Sequence, residues 1–357
     1  MLREAHAGSA DVIDLFTRDR ALGAMYGLAI GDALGMPTQE LPRRRAAELL
    51  PLDDRPAFLA GPSDNPISAG MPAGSITDDT EQALVIARLL VEGNGSVDPY
   101  RQAEEMLGWE CSMADRGSLD LLGPSTKRAL QAVADGADPT TTGATGATNG
   151  AAMRVAPVGI AVAADPIEVL VDAVVSADRV THDTGIAHAG AVAVATVVSL
   201  GVAGEGFLGS LPRAMTAARM AGRRGHWVAG PDVGRRIVWA VDLARSTRDA
   251  RGEDAALDAI DQLVGTSLAT QESVPAAFAV AALAPDDPWR ATRLAAALGG
   301  DADTIAAMTG AMLGATHGLA AFPESACALV RDVNDLHLES VAIDLLTLRL
   351  NAPDVTS

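Results

Sequence analysis

The stretch Ala21–Gly35, ALGAMYGLAIGDALG, places a glycine at every fourth position, at 23, 27, 31 and 35. Residues four apart lie on the same face of an α-helix, so the four glycines form one ridge without side chains. Each interior glycine costs about 1 kcal/mol relative to alanine. The ridge therefore predicts that something approaches this helix very closely, either a second helix backbone or a ligand.

The composition favours a helical core. Apolar residues make up 48% of the 357 residues, but aromatic residues only 3%, so the core is built mainly from small aliphatic side chains. Such side chains suit closely packed helices better than a β-sandwich. Helical periodicity dominates and no long repeat is present, which predicts one compact all-α domain over residues 21–350 after a lead-in at 1–20. The segment Leu41–Ser75 is predicted to be a long loop.

The formal net charge of −19, from 46 acidic and 27 basic residues, argues against nucleic-acid or membrane-surface partners. The longest apolar run, Ala189–Gly204, is shorter than the roughly 20 residues that span a bilayer, so a buried helix is expected there. The first residues lack a basic start followed by a hydrophobic segment. These features predict a cytoplasmic protein, a monomer or small homo-oligomer.

Two acidic stretches lie far apart in the chain: GSITDDTEQALVIARLL at Gly74–Leu90 and GGDADTIAAMTGAM at Gly299–Met312. Each places aspartates and a threonine where an apolar helical pattern begins. One such residue serves as a helix cap, but several exceed what a cap needs. The residues in question are Thr77, Asp78, Asp79, Asp301, Asp303 and Thr304.

Carboxylates packed this densely repel one another, and a divalent cation would relieve that repulsion. The possible ligands are all oxygens, without His or Cys at matching spacing, which favours Mg²⁺ or Mn²⁺ over zinc. Two carboxylate clusters could hold one or two ions. The alternative is a pair of ordinary helix caps.

Two further motifs are ambiguous alone. Gly146–Gly159, GATNGAAMRVAPVG, offers a glycine loop and an arginine that could cradle a phosphate or ribose, or merely lead into a helix. Arg179–Ala191, RVTHDTGIAHAGA, contains His182 before an apolar helix, where a capping run with an incidental histidine is the simpler interpretation.

In their order along the chain, GLAIGDALGMPTQ, SITDDTEQAL, GPSTKRAL, TNGAAMRVAPVG, VTHDTGIAHAGAV, ESVPAAFAVA and LGGDADTIAAMTGAMLGATHG closely resemble the ADP-ribosylglycohydrolase family. That family includes the dinitrogenase-reductase-activating glycohydrolase and the ADP-ribosyl-acceptor hydrolases. The resemblance covers about Ala21 to Gly318. It is similar above all to a bacterial branch, often uncharacterised, with GMPS or GMPT after GDALG. It implies an all-α fold with a binuclear Mg²⁺ (or Mn²⁺) centre in a cleft.

By resemblance, the two acidic stretches are the two halves of one metal site. Thr77, Asp78 and Asp79 match the first half, and Asp301, Asp303 and Thr304 match the second. Asp78, Asp79 or Asp301 would orient or deprotonate the attacking water. The residues expected to contact the ADP-ribose part of the substrate are Asn149, Gly150, Met153, Arg154 and His182.

The chain departs from the family at one position. Many members carry a glutamate four residues after GDALG, whereas this chain has Gln39 there and Glu40 one residue later. A glutamine cannot act as a base. Either Glu40 serves through a local shift, or the second metal is held more weakly.

The sequence thus predicts a Mg²⁺-dependent hydrolase of the bond between ADP-ribose and an acceptor, with an arginine-type N-linkage favoured and a metal-positioned water as nucleophile. Its substrate would be an ADP-ribosylated protein or small molecule. One alternative is an N-ribohydrolase of a free nucleoside, nucleotide or ADP-ribosyl compound. Another is a non-catalytic ADP-ribose binder.

Overall fold

The computed structural model describes residues 13–50, 58–115 and 122–352. In that part of the chain the regular structure is helical, with two isolated β-bridges and no strand. The first helices are α1 (Leu15–Gly35), α2 (Arg43–Leu49), α3 (Asp78–Glu92), α4 (Pro99–Asp115), α5 (Pro124–Ala134), α6 (Gly150–Met153), α7 (Ala156–Ala161) and α8 (Ile167–His182). They are followed by α9 (Gly185–Val202), α10 (Phe207–Ala221), α11 (Val233–Arg251), α12 (Glu253–Ala259), α13 (Thr270–Leu283), α14 (Pro288–Ala296), α15 (Ala302–His317), α16 (Glu324–Asn334) and α17 (Leu338–Asn351). A π-turn at Ile260–Val264 follows α12, and a 3₁₀ turn at Leu319–Ala321 follows α15.

The pairing of α1 with α15 is the centre of the fold. A Cβ on Gly31 would overlap the carbonyl of Ala306, and one on Gly27 would overlap the carbonyl of Gly310. The glycine ridge therefore lies against a second helix backbone, as the packing interpretation predicts. Its conformational cost is offset by a contact closer than any side chain would allow.

Helix α9 is buried along its whole length, and α7, α8, α10, α13 and α15 pack around it. It covers most of the apolar run Ala189–Gly204 and is the one helix in the described residues long and apolar enough to cross a membrane. Because all of its apolar window is covered by other helices, it is a core helix here, as the sequence predicts.

Two predicted boundaries differ from the structure. Helix α1 begins at Leu15, inside the predicted lead-in, because the Asp14 carboxylate accepts hydrogen bonds from the backbone amides of Phe16 and Thr17 and so caps an earlier start. The predicted loop Leu41–Ser75 contains the short helix α2, which begins directly after Pro42. Residues 1–12 and 51–57 lie outside the described residues.

Candidate active site

The two acidic stretches meet in the structure. Helix α3 begins with Asp78 and α15 with Ala302, so both stretches occupy the start of a core helix, as predicted. The glycine ridge places α15 so that Asp303 lies against Gly35 of α1. One oxygen of Asp79, Oδ2, accepts a hydrogen bond at 3.3 Å from the hydroxyl of Thr304 and also lies 3.3 Å from the hydroxyl oxygen of Thr77. Asp79 thus joins the two stretches directly.

Asp32 is a site residue that the sequence reasoning missed. It is fully buried on α1, and its carboxylate accepts hydrogen bonds from the backbone amides and the hydroxyls of both Thr77 and Thr80 at 2.6–3.1 Å. It therefore caps α3 from a neighbouring helix. The sequence did contain one indication of it: Asp32 is the only charged residue in the stretch Ala21–Gly35, whose other residues are small or apolar.

We call Asp32, Asp78, Asp79, Asp301 and Asp303 the acidic centre. Burial raises the pKa of each carboxyl above its ordinary value, to about 6 for Asp32 and Asp301. Repulsion between neighbours adds to this rise, for example Asp303 acting on Asp78. In the described part of the chain, no lysine, arginine or histidine forms a salt bridge with any of the five.

A cavity of about 160 Å³ opens beside the acidic centre. Asp78, Asp301, Asp303 and Thr304 line it, whereas Thr77 and Asp79 lie behind its wall. Larger concavities exist elsewhere, such as an 840 Å³ groove between α3, α4 and α17 and a 970 Å³ groove between α10 and α11. The small cavity is nevertheless the one lined by residues of both acidic stretches and of the predicted substrate-binding loop.

The structure places both Gln39 and Glu40 at this cavity. Gln39 is buried, and its amide donates to the carbonyl of Met36. Glu40 is solvent-exposed and has a left-handed backbone with φ of 59°, an unusual conformation for a residue other than glycine. Its amide donates to the carbonyl of Gly300 at 2.7 Å, and its carboxylate helps to raise the pKa of Asp301. Glu40 thus supplies a carboxylate beside the position where the family has its glutamate.

Three of the predicted substrate-binding residues, Asn149, Gly150 and Met153, line the cavity. The Asn149 amide donates to Asp301 Oδ2 and to the hydroxyl of Ser273, so it orients a carboxylate of the acidic centre. The cavity wall at Thr148 and Asn149 is held by a β-bridge and a backbone hydrogen bond to the segment before α13.

The two other predicted substrate-binding residues, Arg154 and His182, do not line the cavity. Arg154 is 1% exposed and His182 is 0% exposed. A Cβ on Gly150 would lie 2.8 Å from His182 Cε1, so the histidine packs directly under the loop. Burial, with the positive charge of Arg154, holds the pKa of His182 well below its ordinary value, and the ring is neutral. Both residues stand one layer behind the surface they were expected to form.

A second buried charged group, which we call the histidine cluster, lies between α8 and α9. His188 Nδ1 is 3.3 Å from Asp178 Oδ2, and His188 Nε2 is 3.0 Å from Asp183 Oδ1. The two carboxylates raise the pKa of His188 to about 9 against the opposing effect of burial. The imidazolium therefore balances charge inside the protein.

The acidic centre fits a divalent cation by its chemistry. Asp79 Oδ1 is buried and has no hydrogen-bond partner among the residues that the structure describes, an arrangement that costs free energy unless another group reaches it. All the donors are carboxylate or hydroxyl oxygens, the ligands preferred by Mg²⁺ and Mn²⁺. Among the described residues, however, no three His, Cys, Asp or Glu side chains stand close enough together to form a complete metal site.

Comparison with known proteins agrees with this geometry. The ADP-ribosylglycohydrolase family model matches residues 14–354. The chain belongs to the ADP-ribosylglycohydrolase family. Members of this family are metal-using hydrolases that act on N-glycosidic ADP-ribose linkages, and the chain is accordingly a glycosidase-type hydrolase.

Among its relatives, the chain is 37% identical to the uncharacterized protein YegU of Escherichia coli over 93% of its own length and 97% of YegU. It is 29% identical to the ADP-ribosyl-[dinitrogen reductase] glycohydrolase of Rhodospirillum rubrum, over 53% and 60% of the two chains. A solved structure described as an ADP-ribosylglycohydrolase-related protein complex superposes with a TM-score of 0.62 at 26% identity, covering 93% of this chain and 98% of that one. The family fold is thus shown over almost the whole chain.

Proposed function

We propose that this ADP-ribosylglycohydrolase cleaves the bond between ADP-ribose and an arginine-type acceptor in a Mg²⁺-dependent reaction. The main support is the acidic centre itself, five crowded carboxylates of which Asp78, Asp301 and Asp303 line one cavity, with no salt bridge from a cationic side chain in the described residues. The arginine linkage is supported by similarity to the ADP-ribosylarginine hydrolase Tri1 of Pseudomonas putida, which is 33% identical over 40% of this chain and 36% of Tri1.

The residues that would hold the metal come from both acidic stretches. They are Thr77, Asp78, Asp79, Asp301, Asp303 and Thr304. We propose two Mg²⁺ ions, with Mn²⁺ as the substitute. When bound, such ions lower the pKa of a coordinated water and orient ribose hydroxyls.

The chain's own groups have separate parts in the hydrolysis. The glycosidic C–N bond breaks with its electron pair going to the guanidine nitrogen, which takes up a proton, and the water oxygen bonds to the anomeric carbon. The neighbouring carboxylates Asp78 and Asp301 would stabilise the positive charge that develops on the sugar. Glu40, exposed at the cavity, could accept a proton from the water, as Gln39 cannot.

The size of the cavity supports a substrate with one buried sugar. Sites that enclose drug-sized ligands usually measure about 300–1,000 Å³. At about 160 Å³, this cavity suits the reacting ribose, with the remainder of the ADP-ribosyl group outside it.

An N-ribohydrolase of a free nucleoside, nucleotide or ADP-ribosyl compound is the second candidate. The net charge of −19 favours it, because an acidic surface repels acidic protein targets. The third possibility raised by the sequence, a non-catalytic ADP-ribose binder, is set aside because the chain belongs to a family of hydrolases and binding alone needs no crowded carboxylates. The cytoplasmic location and the oligomeric state stay predictions.

The test is chromatographic detection of ADP-ribose released from ADP-ribosyl-arginine, with Mg²⁺ and then with excess EDTA. Release that requires Mg²⁺ is expected. Release unaffected by EDTA would contradict the metal dependence. Hydrolysis of nucleosides or free ADP-ribosyl compounds, without hydrolysis of ADP-ribosyl-arginine, would establish the second candidate instead.

A further inference from the structure

Arg154, expected from the sequence to contact the substrate, is buried behind the cavity wall instead. Its guanidinium donates through Nη1 to Gln82 Oε1 and through Nη2 to Thr181 Oγ1, both at 2.6 Å. Burial lowers its pKa only to about 10, so it carries its charge at neutral pH. A guanidinium has donors and no acceptor, and it therefore fixes the direction of both hydrogen bonds.

The first branch runs to the acidic centre. Because the Gln82 carbonyl accepts from Arg154, its amide nitrogen is the group that faces Asp78, and it donates to Asp78 Oδ2 at 2.9 Å. Gln82 lies one helical turn after Asp78 on α3, where side chains four apart meet. Arg154, which offers only donors, thus holds the amide of Gln82 in the orientation that turns its nitrogen toward Asp78.

The second branch runs to the opposite wall of the cavity. Thr181 Oγ1 accepts from Arg154 and lies 2.7 Å from His182 Nδ1, while His182 Nε2 lies 2.8 Å from Thr148 Oγ1. No other acceptor in the described residues takes the Thr181 hydroxyl proton, so that proton goes to Nδ1. Nε2 then carries the imidazole proton and donates to Thr148. The Thr148 hydroxyl consequently keeps its own proton for a partner in the cavity, which Thr148 lines.

We propose that Arg154 is a positioning residue that sets both walls of the cavity: through Gln82 it orients Asp78, and through Thr181 and His182 it makes Thr148 a hydrogen-bond donor to an oxygen of the bound sugar. The proposal rests on the proposed hydrolase activity for the role of Thr148. The orientation of Asp78 and the tautomer of His182 can be tested without turnover.

Mn²⁺ binding in the absence of substrate, followed by electron paramagnetic resonance, tests the first branch. Arg154→Lys and Gln82→Leu are expected to weaken Mn²⁺ binding about 10- to 100-fold, the usual effect of removing a group that orients a ligand. The matched control is Arg349→Lys. Arg349 is also a largely buried arginine with a pKa of about 10, but it donates to Ser199 and to carbonyls near α7, away from the cavity.

The control should lose stability like Arg154→Lys but bind Mn²⁺ as wild type does. Unfolding curves establish that each variant is folded before binding is compared. Unchanged Mn²⁺ affinity in folded Arg154→Lys and Gln82→Leu would overturn the first branch, as would absence of Mn²⁺ binding by the wild-type chain.

The second branch is tested by nuclear magnetic resonance of ¹⁵N-histidine-labelled protein, with His182→Gln assigning the signal. We expect a neutral ring protonated at Nε2. A ring protonated at Nδ1, or at both nitrogens, would overturn the assignment of Thr148 as a donor, whether or not the protein shows hydrolase activity.

Kinetics then separate positioning from general damage. Thr148→Val should raise KM for ADP-ribosyl-arginine about threefold to tenfold, the worth of one hydrogen bond, while leaving Mn²⁺ affinity unchanged. Thr148→Ser should restore the wild-type KM. Equal KM values for Thr148→Val and the wild type would contradict the role of Thr148. Absence of wild-type turnover would count against the proposed function, and the resonance and Mn²⁺ results would still decide the positioning.

Discussion

The acidic centre and the histidine cluster both bury carboxylates, but only the histidine cluster contains a cation of its own among the described residues. Asp178 and Asp183 share the imidazolium of His188, whose pKa they raise to about 9. Within the described residues, the five aspartates of the acidic centre have no such partner, and the buried guanidinium of Arg154 is connected to Asp78 through Gln82.

This difference separates a structural cluster from a functional one. Where burying charge serves stability alone, the chain supplies the compensating cation itself. Where the chain supplies no such cation, the protein without a ligand is less stable, and a bound ligand of opposite charge can restore the lost stability. The contrast supports metal binding independently of the relatives' names.

The largest expected effect comes from Asp303→Asn. Turnover and stabilisation by Mg²⁺ should both fall to background, because the change removes a central carboxylate of the proposed metal site. In EDTA, however, the free energy of unfolding at pH 7 should be unchanged or higher, since one of the repelling charges is gone. Denaturant unfolding with and without Mg²⁺ measures both, with the exposed Asp242→Asn as control. A clear loss of stability in EDTA would contradict the view that the acidic centre is uncompensated.

A substitution in the histidine cluster should have the opposite effect, a loss of stability with activity retained. His188→Leu removes the imidazolium that bridges Asp178 and Asp183, and is expected to cost about 3–5 kcal/mol in the free energy of unfolding. Urea unfolding measures it. Activity measured well below the melting temperature should persist, because His188 does not line the cavity. A cost below about 1 kcal/mol would show that the cluster is not held by charge balance.

Gly31→Ala tests whether the close packing of α1 against α15 holds the two acidic stretches together. Its Cβ would overlap the backbone of Ala306, so α1 and α15 must move apart, at an expected cost of about 1–3 kcal/mol. Metal affinity should fall as well, because the second acidic stretch is carried on α15. The control is Gly108→Ala on exposed α4, where a Cβ meets no other atom and stability should rise by about 0.5–1 kcal/mol. Equal behaviour of the two variants would refute the packing argument.

The most gradual of the expected effects is a pH dependence of the histidine cluster. The pKa of His188 is about 9 in the folded protein and about 6.5 when unfolded, so its contribution to stability is complete below pH 6.5 and is lost as the pH rises to 9. The stability difference between wild type and His188→Gln should therefore shrink over that interval, by at most about 1.4 kcal/mol per pH unit. The other charged groups that act on the cluster include His226, 3.8 Å from Asp183, Arg179, whose charge also acts on Asp183, and Arg154, whose charge acts on Asp178. A constant difference across pH 6–9.5 would contradict the raised pKa of His188.

Much of the fold was predictable because it follows from spacing. Glycines four residues apart predict a helix pair in backbone contact, and aspartates before an apolar helical pattern predict the starts of α3 and α15. Only the family resemblance predicted that the two acidic stretches face one another. Neither stretch contains information about where the other lies in the fold.

The sequence could not predict which side chains of these motifs line the cavity and which are buried behind its wall. Arg154 and His182 belong to motifs whose other residues reach the cavity, yet their own side chains are buried behind its wall. Exposure depends on how the loop before α6 packs over α8, which no local pattern encodes. Asp32 was missed for a related reason, because a cap supplied by another helix leaves no sequence signal beside the helix that it caps.

The contact between α1 and α15 also has a consequence for biosynthesis. The ribosome adds roughly 5–20 residues per second, so α1 leaves the exit tunnel roughly 15–50 s before α15 exists. During that interval its strip of four glycines has nothing to lie against, and a helix so rich in glycine is unstable alone. Helix α1 therefore gains its packing partner only when α15 has been made, and a product truncated before α15 lacks half of the acidic centre.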